Sequence, residues 1–118
     1  MASRADVELD IFSGRPNPTW TLSDAGRAQF LDRLAALPAA PPAGLRSNLG
    51  YRGFVVHLSN GPRAGVVHVQ RGTIRVSMGE RDLYYNDPQR LTERWLLQTG
   101  EPFLEPGIHD IVDRELSG

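Results

Sequence analysis

Hydrophobic and polar residues alternate strictly over residues 6–12, Asp-Val-Glu-Leu-Asp-Ile-Phe. That period of two predicts a strand with Val7, Leu9 and Ile11 on one face and Asp6, Glu8 and Asp10 on the other. A turn or loop follows at 13–18, where Pro16 and Pro18 fix φ and stiffen the chain. Residues 19–22, Thr-Trp-Thr-Leu, read as a short second strand. The period then changes. Ser23 is a suitable N-cap, Asp24 suits a first helical turn, and Phe30, Leu31 and Leu34 share one side of a helix reaching about Leu37. The proline-rich run from Pro38 to Gly44 ends it as a loop, not as a linker between domains.

Two hairpins are predicted in the middle of the chain. Residues 54–60 and 65–70 form strands around a turn at 60–64, and a third strand, 73–79, follows the turn residues Arg71-Gly72. Burying Phe54, Val56 and Leu58 together with Val67 and Val69 requires paired residue numbers to sum to an odd value. The simplest such register pairs 56 with 69 and 58 with 67; the second hairpin then pairs 69 with Ile74 and 67 with Val76. The opposite face carries His57, His68 and Arg75 in one cross-strand row. Val55, Gln70 and Thr73 flank it on one side, and Ser59, Val66 and Ser77 on the other. Residues 82–86, with the paired Tyr84 and Tyr85, read as a contact loop or lid before the next helix. That helix has Asp87 as N-cap, Pro88 at its first position, Gly100 as its stop, and Leu91 with Trp95 on its buried side. A last short helix shows Ile108, Ile111, Val112 and Leu116 at helical spacing. The sum is one α+β domain over residues 1–118. Its expected core is a small antiparallel sheet of about four or five strands with two or three helices packed on one face.

Composition removes chemistry more than it adds any. The chain has 118 residues, a usual size for one domain. It has no cysteine, which excludes thiol nucleophiles, disulfides, thiolate zinc sites and Fe–S clusters. All 13 basic residues are arginine, so neither a lysine Schiff base nor a P-loop lysine is available. With the many Ala, Gly and Pro residues, this bias reads as GC-rich, bacterial-like coding. No run approaches the roughly 20 apolar residues of a membrane span, and no signal-peptide core follows the N-terminus, so the expectation is a cytoplasmic protein without a membrane partner. Charge is uneven: residues 33–79 hold six arginines and no carboxylate, between two acidic flanks. That basic middle suits an anionic partner or pairs with the flanks on folding. A pI of about 6.3 argues against nucleic acid.

Three segments hold candidate chemistry. His57 and His68, with Asp10 to orient one of them, form a candidate acid–base pair. A metal is not expected there, because Arg75 beside His68 opposes a divalent cation. Around Gly14, the prolines hold Arg15 and Asn17 in fixed directions next to Trp20, a set suited to a carboxylate or phosphate, or else to a structural corner. Residues 48–53, Asn-Leu-Gly-Tyr-Arg-Gly, bring Tyr51 and Arg52 between glycines, again as a pocket wall or as a turn. His109 and Asp113 form an ordinary surface pair. No phosphate-loop, dinucleotide, zinc-hydrolase or nucleophile-elbow spacing occurs.

The favoured expectation is a small binding or accessory module that recognises an anionic small molecule or a peptide or protein segment. Its contacts would be Arg15, Asn17, Trp20, Tyr51, Arg52 and Arg75, without a cofactor. A compact acid–base enzyme using His57, His68 and Asp10 is the alternative. A structural or inhibitory partner protein is the third class, using its open sheet face as an interface, including one between two copies in a homodimer.

Overall fold

Six strands form one antiparallel sheet in the order β2-β1-β3-β4-β5-β6, one or two more than the pattern predicts. They are β1 (Arg4–Leu9), β2 (Thr19–Thr21), β3 (Phe54–Ser59), β4 (Gly65–Gln70), β5 (Thr73–Met78) and β6 (Arg81–Asn86). The helices are α1 (Asp24–Ala36), α2 (Leu91–Gly100) and α3 (Pro106–Ser117). The computed structural model describes residues 3–12, 14–45, 50–59 and 64–117; Asn48, Leu49 and the turn at 60–63 lie outside the described residues. Among the described residues, no helix is long and apolar enough to cross a membrane.

The predicted alternation sets the faces. Val7, Leu9, Phe54, Val56, Val67, Val69 and Ile74 are all at most 1% exposed. Phe30 of α1, Leu96 and Leu97 of α2, and Val112 and Leu116 of α3 pack in the same cluster. Each fully buried large side chain of this kind contributes roughly 1.5–3 kcal/mol. Trp20 and Tyr51 both meet Phe54 edge-on, at 6.3 and 6.1 Å between ring centroids. Gly100 is buried directly against the Trp20 ring, where a side chain would collide with it.

Register is where pattern and structure part. The second hairpin pairs Val69 with Ile74 and Val67 with Val76, as predicted. Its Arg71-Gly72 loop holds both residues at left-handed φ, +48° and +85°, matching the right-handed twist of the strands. The first hairpin pairs Phe54 with Val69 and Val56 with Val67, two residues from the predicted alignment. The predicted one would have set Phe54 opposite Arg71, beyond the end of β4, whereas the observed one gives it a ladder partner. Odd sums are kept, so every side chain stays on its predicted face. His57, however, opposes Val66, and His68 opposes Val55. The histidines are diagonal neighbours, not a directly facing pair.

Residues 82–86 are not a loop. They belong to β6, paired with β5 from Met78↔Arg81 to Thr73↔Asn86, with Leu83 and Tyr85 packed against the core. The segment after α1 covers part of the outer edge of β6: the Ala40 amide donates to the Tyr84 carbonyl and the Asn86 amide to the Pro38 carbonyl. Covering an edge in this way blunts its tendency to pair with other chains.

Ser23 caps α1 as expected, accepting from the Gly26 amide at 3.0 Å. Asp87 caps α2 across an intervening turn, its two oxygens accepting from the Thr92 and Glu93 amides. In that turn, Gln89 and Arg90 are both left-handed, which rotates α2 relative to a helix that began at Pro88. Its buried stripe is Glu93, Leu96, Leu97 and Gly100, with Trp95 half-buried against Phe30; Leu91, predicted inside, is 50% exposed. On α3 the stripe is Val112 and Leu116 with Ile108 beside the core, which turns Ile111 outward at 47% exposure.

Candidate functional site

The sheet face opposite the helices carries polar side chains in transverse rows. One row runs Thr19, Glu8, Val55, His68, Arg75, Tyr84; its neighbour runs Thr21, Asp6, His57, Val66, Ser77, Asp82. Most of these residues are half-buried, with Thr19, Thr21, His57 and Asp82 exposed. β1 lies between β2 and β3, so its two carboxylates, Asp6 and Glu8, border the row positions of the histidines.

Each histidine has its own partner. His57 Nε2 lies 3.2 Å from Glu8 Oε1, a diagonal contact between β1 and β3. His68 Nδ1 lies 3.4 Å from Arg75 Nη2 on β5. Burial, and then the Arg75 charge, push the His68 pKa below its ordinary value. A neutral His68 accepts from Arg75 at Nδ1 only with its proton on Nε2, which makes Nε2–H a donor towards the surface. The Arg75 Nε is buried and has no hydrogen-bond partner. Tyr84, the residue opposite Arg75 on β6, extends the row of donors.

Asp10 makes no hydrogen bond to either histidine among the described residues, although its charge opposes the lowering of the His68 pKa. Its Oδ1 accepts from Arg52 Nη2 at 2.8 Å and Nε at 3.1 Å, and from Asn17 Nδ2 at 3.3 Å. Arg52 also donates to the Phe12 carbonyl. Asn17 accepts at Oδ1 from the Ile11 and Phe12 amides, at 3.1 and 2.7 Å, and donates to Glu8 Oε2 at 2.8 Å. Asp10, Asn17 and Arg52 thus form one internal knot that ties the end of β1 to the loops on either side.

Trp20 is 5% exposed and donates from Nε1 to Thr99 Oγ1 at 3.0 Å. Tyr51 is 4% exposed, and its hydroxyl donates to the fully buried carboxylate of Glu93. Burial, reinforced by the Glu93 charge, pushes the Tyr51 pKa far up, so the phenol keeps its proton. Arg15 shares a cleft with Asn17, away from the histidines. It is exposed, its guanidinium carbon 3.7 Å from the centre of the Phe12 ring, at a cleft of about 250 Å³ shared with Pro16, Pro18 and Phe103.

The structure therefore brings His68 together with Arg75, His57 with Glu8, and Asp10 with Asn17 and Arg52. It leaves Trp20 and Tyr51 in the core and Arg15 at a cleft that Asn17 also lines. Pattern reading set Glu8 on the polar face of the first strand, in reach of the histidines, and Tyr84 in a contact loop, but gave neither its partner in these rows. Glu8 was detectable as the polar-face residue flanked by Asp6 and Asp10, and Tyr84 as the outward residue between Leu83 and Tyr85. Among the described residues no group of three or more His, Asp or Glu side chains is arranged to hold a metal ion. Compared with protein-family models, curated proteins and solved structures, the chain matches none.

Proposed function

We propose that this chain is a small cytoplasmic binding module that holds an anionic group of a partner peptide on the uncovered sheet face. The observation carrying this reading is the Arg75 guanidinium, held in the middle of that face beside His68, with Nη2 3.4 Å from Nδ1. The neutral His68 offers Nε2–H beside it, and Tyr84 a hydroxyl on the next strand. A carboxylate bridging Arg75 and His68 would be held by a planar fork that fits its two oxygens. The width of the face and the presence of Val55 and Val66 within it favour a peptide over a small molecule.

Acid–base catalysis by His57 and His68 has less geometric support, since Asp10 is engaged by Arg52 and the histidines occupy different rows. Neither His57 nor His68 lines any of four open clefts among the described residues.

The test is a ¹H–¹⁵N NMR titration with a short peptide of alternating glutamate and valine. Saturable shifts should concentrate at His68, Arg75 and Tyr84 and should weaken roughly tenfold in Arg75→Gln. Shifts elsewhere, or binding unchanged by Arg75→Gln, would overturn the proposal. A dimer seen by light scattering that blocks these shifts would assign the face to self-association instead.

A further inference from the structure

At the far end of the β4–β5 hairpin, three arginines from three separate elements converge on one open cleft of about 440 Å³. Arg71 comes from the hairpin loop, Arg90 from the turn before α2, and Arg114 from the last turn of α3. Ile111 and Glu115 complete the walls. None of these residues belongs to the sheet face discussed above.

Backbone strain marks the same place. Arg71, Gln89 and Arg90 are the non-glycine residues with positive φ among the described residues, and two of the three line this cleft. The first position of a two-residue hairpin loop ordinarily takes Asn, Asp or Gly, which tolerate left-handed φ; arginine there is costly. A residue ill-suited to its backbone, aimed into a cleft, calls for a role beyond the turn.

The cations are unequally compensated. Arg90 is neutralised by the buried Glu93, through bonds of 2.9 and 2.8 Å, and its Nη1 donates to the Glu115 carbonyl. Among the described residues Arg71 has only Glu115, at a loose 3.8 Å, and its buried Nε has no hydrogen-bond partner. Arg114 has no ion pair or hydrogen bond among the described residues. Two guanidinium charges thus face one carboxylate that bridges neither tightly. The negative end of α3 is already occupied by Arg90 and by Arg94, which donates to the Leu116 carbonyl.

We propose that this cleft binds a small phosphomonoester, its dianion held between the forks of Arg71 and Arg114 and its apolar body lying on Ile111. A phosphate dianion offers enough oxygens for two guanidinium groups that share one loosely held carboxylate, and arginine's fork fits phosphate oxygens in pairs. Arg90 supplies a rigid wall, fixed from behind by Glu93. Glu115 competes with the ligand for Arg71.

Phenyl phosphate is the probe, followed by ¹H–¹⁵N NMR, with inorganic phosphate as the comparison. Saturable shifts should appear at residues 71–72, 90 and 114–115, and phenyl phosphate should bind more tightly than inorganic phosphate. Arg71→Asn removes the guanidinium but suits left-handed φ better, so it should melt no lower than the parent while weakening binding roughly tenfold. Arg114→Gln, on an exposed helix position, should weaken it comparably, and Glu115→Gln should tighten it. Arg75→Gln should leave this binding unchanged, which separates the cleft from the sheet face. Absence of saturable shifts here, or binding indifferent to both Arg71→Asn and Arg114→Gln, overturns the proposal. Equal affinity for the two phosphates refutes the part assigned to Ile111.

Discussion

His68 accepts a hydrogen bond from Arg75 across the β4–β5 ladder, 3.4 Å from Nη2 to Nδ1, and this contact is available only to a neutral imidazole. Both the burial of His68 and the adjacent charge lower its pKa from the ordinary 6.5. The sign of the linkage follows. The unfolded chain binds this proton more readily than the folded one, so the contribution of His68 to stability is fully present above pH 6.5 and declines as pH falls through its lowered pKa. Arg75→Gln should raise that pKa, as read by NMR titration of the imidazole, and should flatten the loss of stability below pH 6.5. A His68 pKa that does not move, or that falls, would show the pair to be uncoupled.

Asn17 joins four groups at once. Its carbonyl oxygen serves the Ile11 and Phe12 amides, and its amide nitrogen reaches Glu8 and Asp10. Asn17→Ala should cost on the order of 2 kcal/mol, because two part-buried amides lose their acceptor. Asn17→Asp should be worse: it keeps the acceptor but loses the donor and sets a third carboxylate beside Glu8 and Asp10. Urea unfolding of the two variants, with unchanged slope, measures both effects. An aspartate variant as stable as the parent would contradict this account.

Much of the sheet was legible in the alternation, and the limits of that legibility are physical. The face of every middle strand follows from parity, since a strand has a period of two. A slip by two residues preserves parity, so the pattern cannot separate Val56↔Val67 from Val56↔Val69; the ladder partner gained by Phe54 decides it. β6 shows the same limit in another form. Its Leu83 and Tyr85 alternate as a strand requires, but its turn, Gly79-Glu80, lacks the Asn-Gly or Asp-Gly signature of a hairpin. The helix faces were misread by one flank at Leu91 and Ile111. At Leu91 the cause is the pair of left-handed residues before α2, whose φ nothing in their side chains announces. The Asn17 knot was legible only as a rigid corner, because residue type does not reveal which amides a side chain will meet.

Glu93 is 0% exposed and is held by both the Arg90 fork and the Tyr51 hydroxyl. Tyr51→Phe removes one neutral donor and should cost about 1–2 kcal/mol. Glu93→Gln leaves the Arg90 charge without its counter-ion and should cost about 3–5 kcal/mol. Thermal and urea unfolding should rank the variants in that order. The reverse ranking would mean that the phenol, not the ion pair, holds the carboxylate in place.

The position of β1 between β2 and β3 has a kinetic consequence. From Phe54 to Asn86 the sheet is a meander in which each strand pairs with its successor, and such local contacts close quickly. Val7, by contrast, finds Val56 only after the whole of α1 and the proline-rich loop have been drawn across. Until it arrives, β3 presents Val56 and Leu58 along an unpaired border, a template for any other extended chain. The N-terminal strand therefore does two jobs at once: it completes the core, and it closes the β3 border to other chains.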